Sequence, residues 1–188
     1  AEDVGTTGSN NTALGSGALG ANLTSSDNTA VGKSALLANT AADNTAVGSG
    51  SLDANVAGTR NVAVGSSAGG AQAGATDHDN TLIGYNAGLL ANGSASGGNT
   101  AVGSKALDAA VTTVNATAVG LNALGASTAD GNTAVGSGAL DANVAGVRNV
   151  AVGLDAGGAA AGANDNDNTF VGHNAGLLAN GSASGSNT

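Results

Sequence analysis

A chain of 188 residues with formal charge −9, 33 Gly, one Phe, one Tyr and no Cys, Met, Trp or Pro excludes several classes at once. There is no disulfide or thiolate-metal framework, no basic stripe for nucleic-acid phosphates or an anionic membrane surface, and no apolar run of the roughly 20 residues that a membrane helix needs. The low charge density and missing proline argue against disorder, and the scarcity of large apolar side chains predicts narrow, closely spaced layers.

Residues 1–10 precede the first clear repeat and are assigned as a cap or a junction with a neighbouring subunit. Ala1, Glu2 and Asp3 suit the end a signal peptidase leaves after small residues, and with the missing Met they predict a processed, exported chain or a fragment. From residue 11 to 188 one solenoid domain is predicted. Its coils open at Asn11, Asn28, Asn44, Asn61, Asn80, Asn99, Ala116, Asn132, Asn149 and Asn168, and Asn187-Thr188 begins another. The spacings run 17, 16, 17, 19, 19 and then repeat, so five coils make a super-repeat of 88 residues. NTAVGSGSLDANVAG at 44–58 accordingly returns as NTAVGSGALDANVAG at 132–146. A period this short marks a solenoid. The predicted fold is all-β: a parallel β-solenoid (β-roll) of about ten 16–19-residue coils in two 88-residue super-repeats. Because each coil encloses a thin core, an oligomer is also expected.

Counting the opening Asn as position 1, positions 2 to 4 read Thr-Ala-Val and predict a short strand whose second and fourth residues share a face. Stacking about 4.8 Å apart, ten such coils make a rod roughly 48 Å long. Position 4 (Val31, Val47, Ile83, Val135) and position 8, Ala except for Ser51, are predicted to face inward. Position 5 is Gly in every complete coil, including Gly48, Gly65, Gly84, Gly103, Gly136, Gly153 and Gly172. This predicts a corner of positive φ or close backbone approach. Position 1 forms a ladder of Asn44, Asn61, Asn80, Asn99, Asn132, Asn149 and Asn168, whose amides are expected to bond one another from coil to coil. A second strand is predicted through A-L-x-A-N, as in residues 18–22, 35–39 and 139–143. The longer coils replace its Leu by Gly (Gly69, Gly88, Gly157, Gly176).

Chemistry is sparse. Gly32-Lys33-Ser34 echoes a phosphate loop, but Asp27 stands where the pattern needs Gly. His78 and His173 occupy different coil positions, and no triad of unlike groups is visible. No enzyme and no bound cofactor are expected. The long corners carry TDHDN at 76–80 and NDNDN at 164–168, where Asp77 with Asp79 and Asp165 with Asp167 offer calcium-type oxygen ligands. Solvated acidic corners that discourage lateral sticking are the competing reading. Tyr85 matches His173 and Leu82 matches Phe170 one super-repeat apart, as a recognition surface or as drift at tolerant positions. Arg60 and Arg148 each precede a coil start, where pairing with an Asp of an adjacent coil or chain is expected.

The N-T-A-V-G-x-x-A-L-x-A-N phrase resembles the head repeats of YadA-type trimeric autotransporter adhesins. It is similar, too, to the N-T-A-V-G-x-x-A-L repeats of phage tail-fibre-like surface proteins. The likeness covers residues 11–188 and implies a left-handed parallel β-roll associating as trimers. The function expected is a non-enzymatic secreted structural fibre: an extracellular filament subunit, adhesin head or tail-fibre shaft. Its partners would be copies of itself, head to tail with Ala1, Glu2 and Asp3 against Asn187 and Thr188, and a cell-surface or matrix receptor. The alternative is an ice-binding solenoid using its Thr column.

Overall fold

The computed structural model describes residues 8–71, 78–89, 97–109, 113–158 and 166–177. Ten three-residue strands follow in chain order: β1 (Thr12–Leu14), β2 (Thr29–Val31), β3 (Thr45–Val47), β4 (Val62–Val64), β5 (Thr81–Ile83), β6 (Thr100–Val102), β7 (Thr117–Val119), β8 (Thr133–Val135), β9 (Val150–Val152) and β10 (Thr169–Val171). They form one ten-stranded sheet in the order β1 to β10, all neighbours parallel and like positions opposite one another, as in Ala13↔Ala30 and Ala101↔Ala118. The architecture is a parallel β-solenoid, all-β, with no helix among the described residues. A three-residue strand cannot stand alone, and here every one is held by its neighbours. Thr29 N–H donates to Asn44 O at 2.8 Å, and Gly32 N–H donates to Leu14 O at 2.8 Å.

The inward parity is opposite to the expected one. Position 3 is the buried one: Ala30, Ala46, Ala63, Leu82 and Ala101 are fully enclosed, whereas Val47 is 36% and Ile83 40% exposed. Successive strand residues point to opposite faces, so Thr and Val share the outer face. The interior, one coil wide, admits a methyl group from position 3 because Ala at position 8 and Leu at position 9 already fill it, as Ala35 and Leu36 do with no exposure. Position 8 faces inward as expected, Ser51 included.

The A-L-x-A-N segments are successive tight turns, not a second strand. Leu19, Leu36, Leu52, Leu107, Leu124 and Leu140 all hold φ between 49° and 57°. This left-handed conformation costs a Cβ-bearing residue roughly 1–2 kcal/mol. Burial of the isobutyl group, worth about 1.5–3 kcal/mol, offsets that cost. Alternate backbone groups still ladder between coils, as in Leu19 N–H to Ala35 O at 3.0 Å, while the intervening ones close the turn, as in Asn22 N–H to Leu19 O at 3.1 Å. At Gly88 and Gly176, two of the four positions where Gly replaces Leu, the space is filled from position 3 of the same coil, whereas the coils of Gly69 and Gly157 keep Ala63 and Ala151 there. The Leu82 side chain would lie 2.7 Å from a Cβ at Gly88, and Phe170 would collide with one at Gly176. Leu82 and Phe170 are therefore compensating core residues, with 0% and 6% exposure, and no part of a recognition surface.

The Asn ladder also runs differently from the amide stack expected. Asn28, Asn44 and Asn61 each donate their backbone N–H at 3.0 Å to the side-chain Oδ1 of the Asn one coil earlier. The Nδ2 groups turn to the closing corner, Asn44 to Gly58 O and Asn132 to Gly146 O, each at 2.8 Å. Amide-to-amide contact survives at Asn80 to Asn61 and Asn168 to Asn149, both 3.1 Å and both after 19-residue steps. A buried backbone N–H needs a partner, and in this coil the side chain supplies it. Gly103 and its equivalents from Gly15 to Gly153 meet both conditions expected of position 5, with φ near 134–140° and the next coil's Gly carbonyl lying where a Cβ would be, whereas Gly172 keeps only the positive φ.

Candidate functional site

The broadest feature of the surface is the outer face of the sheet. Each strand presents its first and third residues there, Thr or Val followed by Val, Leu or Ile, and none of these side chains is charged. The third-residue column is the more exposed: Val31, Val102 and Val119 are half-buried, and the others run from 36% at Val47 to 64% at Leu14 and 69% at Val171.

Two columns border it. On one side lies the residue before each coil start, held in the left-handed region at Asp27, Asp43, Arg60, Asp79, Arg148 and Asp167. On the other, past the Gly corner, lies position 6, exposed at Lys33, Ser49, Ser66, Tyr85, Leu121, Leu154 and His173.

Asp79 and Asp167, half of the sequence-predicted calcium set, sit in the first border with both carboxylate oxygens engaged. Arg60 Nε donates to Asp79 Oδ1 at 2.6 Å and Nη2 to Oδ2 at 2.9 Å. Arg148 repeats the fork on Asp167 at 2.6 and 2.7 Å. The guanidinium holds each carboxyl below its usual value. Asp77 and Asp165 lie outside the described residues, as do Ala1, Glu2, Asp3, Asn187 and Thr188. Among the described residues no three His, Cys, Asp or Glu side chains gather in a metal-holding group.

A second acidic feature lies at position 10, which sequence reasoning did not single out. Asp108 and Asp141 lean over Gly125, their Oδ1 atoms 3.7 and 3.1 Å from where its Cβ would be. Burial pushes up the carboxyls of Asp53, Asp108 and Asp141, and for Asp141 the neighbouring charges of Asp108 and Asp155 add to it. The absence of a side chain at Gly125 is the sequence signal that two coils' carboxylates share one space.

The histidines do not converge. His78 accepts the Thr59 backbone N–H at its Nδ1, 2.9 Å away, within a corner, while His173 stands exposed beside β10. Lys33 lies beside the Gly32 corner of an ordinary coil. Among the described residues the geometry stacks equivalent coil positions into columns. No family model, curated protein or solved structure matches the chain.

Proposed function

We propose that this chain is a non-enzymatic structural rod, working outside the cell as a filament subunit, adhesin head or tail-fibre shaft. The observation that carries the reading is the unbroken in-register ladder of ten parallel strands. Each coil is locked to the next by backbone bonds at the strand, the Gly corner and the Leu turn, and by the Asn side chain inside. Such a chain resists bending, and its outputs are length and spacing. Only two Lys and two Arg offer trypsin sites, and Arg60 and Arg148 are tied to Asp partners, which suits a molecule exposed to proteases. The test is solution scattering with labelling of intact source cells. A particle about 48 Å long from ten coils, labelled on the cell exterior, supports the reading; a compact particle or an internal location overturns it.

One observation favours ice binding as a second reading: the Thr column lies on the outer face, beside an apolar column, on a sheet whose strands stack in register. Val62 and Val150 interrupt it. Thermal hysteresis abolished by Thr45→Lys with Thr133→Lys supports this reading, and its absence in the parent chain removes it.

A further inference from the structure

The interior ladder of the solenoid is interrupted at one coil. Each coil after the first gives its opening backbone N–H to the Oδ1 of the Asn one coil earlier, with one exception. The exception is Asn132, because Ala116 before it carries no amide. Among the described residues the Asn132 N–H meets no acceptor, although the residue has no exposure.

The first super-repeat holds the intact version of the same place. There Asn28 stands for Ala116, its Oδ1 accepting the Asn44 N–H at 3.0 Å and its Nδ2 donating to Ser26 O at 3.1 Å. Val114 O, the counterpart of Ser26 O, retains only the Gly131 N–H, at 3.0 Å. Ser127 likewise stands for Asn39, whose Oδ1 accepts Asn55 Nδ2 at 2.9 Å. The counterpart donor, Asn143 Nδ2, retains only Gly146 O, at 2.9 Å.

We propose that the coil opening at Ala116 is a hydrated joint, in which two internal water molecules take the places of the two side-chain amides. One bridges Asn132 N–H to Val114 O, and the other bridges Asn143 Nδ2 to Ser127 Oγ. This goes beyond the rod reading and is independent of it, since the interior is the same wherever the chain works.

Room and polarity both fit water. Asn-to-Ala and Asn-to-Ser together remove five non-hydrogen atoms, and across residues 113–146 the one buried position that gains an atom over its counterpart is Thr113, for Ser25. Each deletion frees about the roughly 30 Å³ that one water occupies in the liquid. The coils do not close over that space, because the backbone ladder holds their pitch: Thr117 N–H reaches Asn132 O at 2.9 Å and Leu124 N–H reaches Ala139 O at 3.0 Å. A buried N–H without an acceptor is costly, and a water with two or more polar partners satisfies it. A water can leave where a side chain cannot, so this rung opens before its counterpart in the first super-repeat.

Water-to-amide cross-relaxation in the nitrogen-15-labelled full chain reads both sites. The parent should show cross-peaks from long-lived water at Asn132 N–H and Asn143 Nδ2, with none at Asn44 N–H or Asn55 Nδ2, and Asn132 should exchange its amide proton at least about tenfold faster than Asn44. Ala116→Asn with Ser127→Asn should remove both peaks and slow Asn132 to the rate of Asn44. Asn28→Ala should create the water peak at Asn44, so a double variant that fails to fold leaves the question decidable. A parent without the Asn132 peak, equal exchange at Asn132 and Asn44, or a folded Asn28→Ala chain with no peak at Asn44 overturns the proposal.

Discussion

Adding one methyl group at the corner glycine of two different coils separates the two reasons for its presence. Gly103 and Gly172 share the backbone conformation, φ 134° and 124°. A Cβ at Gly103 would lie 2.5 Å from the Gly120 carbonyl oxygen, whereas one at Gly172 meets nothing within 4 Å. Conformational strain therefore falls on both alanine variants, about 1–3 kcal/mol each. Gly103→Ala must also move its neighbour by roughly 1 Å to reach ordinary contact. That strains the bonds flanking the collision, Gly120 N–H to Val102 O at 2.8 Å and Leu107 N–H to Ala123 O at 3.0 Å. Two bonds at about 1 kcal/mol each put Gly103→Ala about 2 kcal/mol below Gly172→Ala. For a chain of this size that is about 4–8 °C in Tm. Thermal melts by circular dichroism give the difference, and amide exchange at Gly120 and Leu107 locates it, which matters because repeat arrays unfold in parts. Equal losses in the two variants would refute close approach as the cause.

Gly88→Leu alone should cost about 1–3 kcal/mol from overpacking against Leu82, while adding Leu82→Ala should recover most of it, a coupling measurable in a urea double-mutant cycle. Asn55→Ala strips the Gly58 N–H of its bond at 3.1 Å, while the Gly58 carbonyl keeps its bond from Asn44 Nδ2 at 2.8 Å; the one orphaned N–H costs about 1–3 kcal/mol, and urea midpoints should fall accordingly. For pH, Asp53, Asp108 and Asp141 have folded pKa values raised by burial, so folding is penalised while they are charged and stability rises as pH falls through those values towards the ordinary 3.8. Asp79 and Asp167, lowered by Arg60 and Arg148, contribute stability that is lost as pH falls below 3.8. A Tm profile should therefore rise from neutral pH, peak near pH 4 and fall below it, and Asp108→Asn with Asp141→Asn should flatten the rise.

The coil, its length sequence and the parallel stacking were legible because Gly at position 5 and Asn at position 1 recur at fixed offsets, and only a stacked backbone requires both. Which side of the strand faces in was not read correctly, because hydrophobicity ranks Val above Ala and a three-residue strand offers no longer alternation to correct it. The deciding signal was volume. Position 3 enlarges to Leu82 or Phe170 in coils where position 9 shrinks to Gly88 or Gly176, as two side chains sharing one space must. Nothing in Leu52 itself announces a left-handed residue, but its replacement by Gly69, Gly88 and Gly157 in other coils, all with φ near 60°, marks the conformation that position demands. The Arg60–Asp79 and Arg148–Asp167 pairs followed from spacing, since each step of 19 residues brings a corner over its successor. The ladder argument reached only part of the Asn pattern, because each amide oxygen first serves the next coil's backbone N–H and accepts its side chain as well only at Asn61 and Asn149 among the described residues.

Register is indifferent to coil length. Thr29 opposes Thr45 after 16 residues and Val62 opposes Thr81 after 19, without a slip. The pitch is therefore set by the stacked strand positions and not by the number of residues in a coil. Ten coils of unequal length share one graduation, as a ruler keeps its scale whatever is written between its marks.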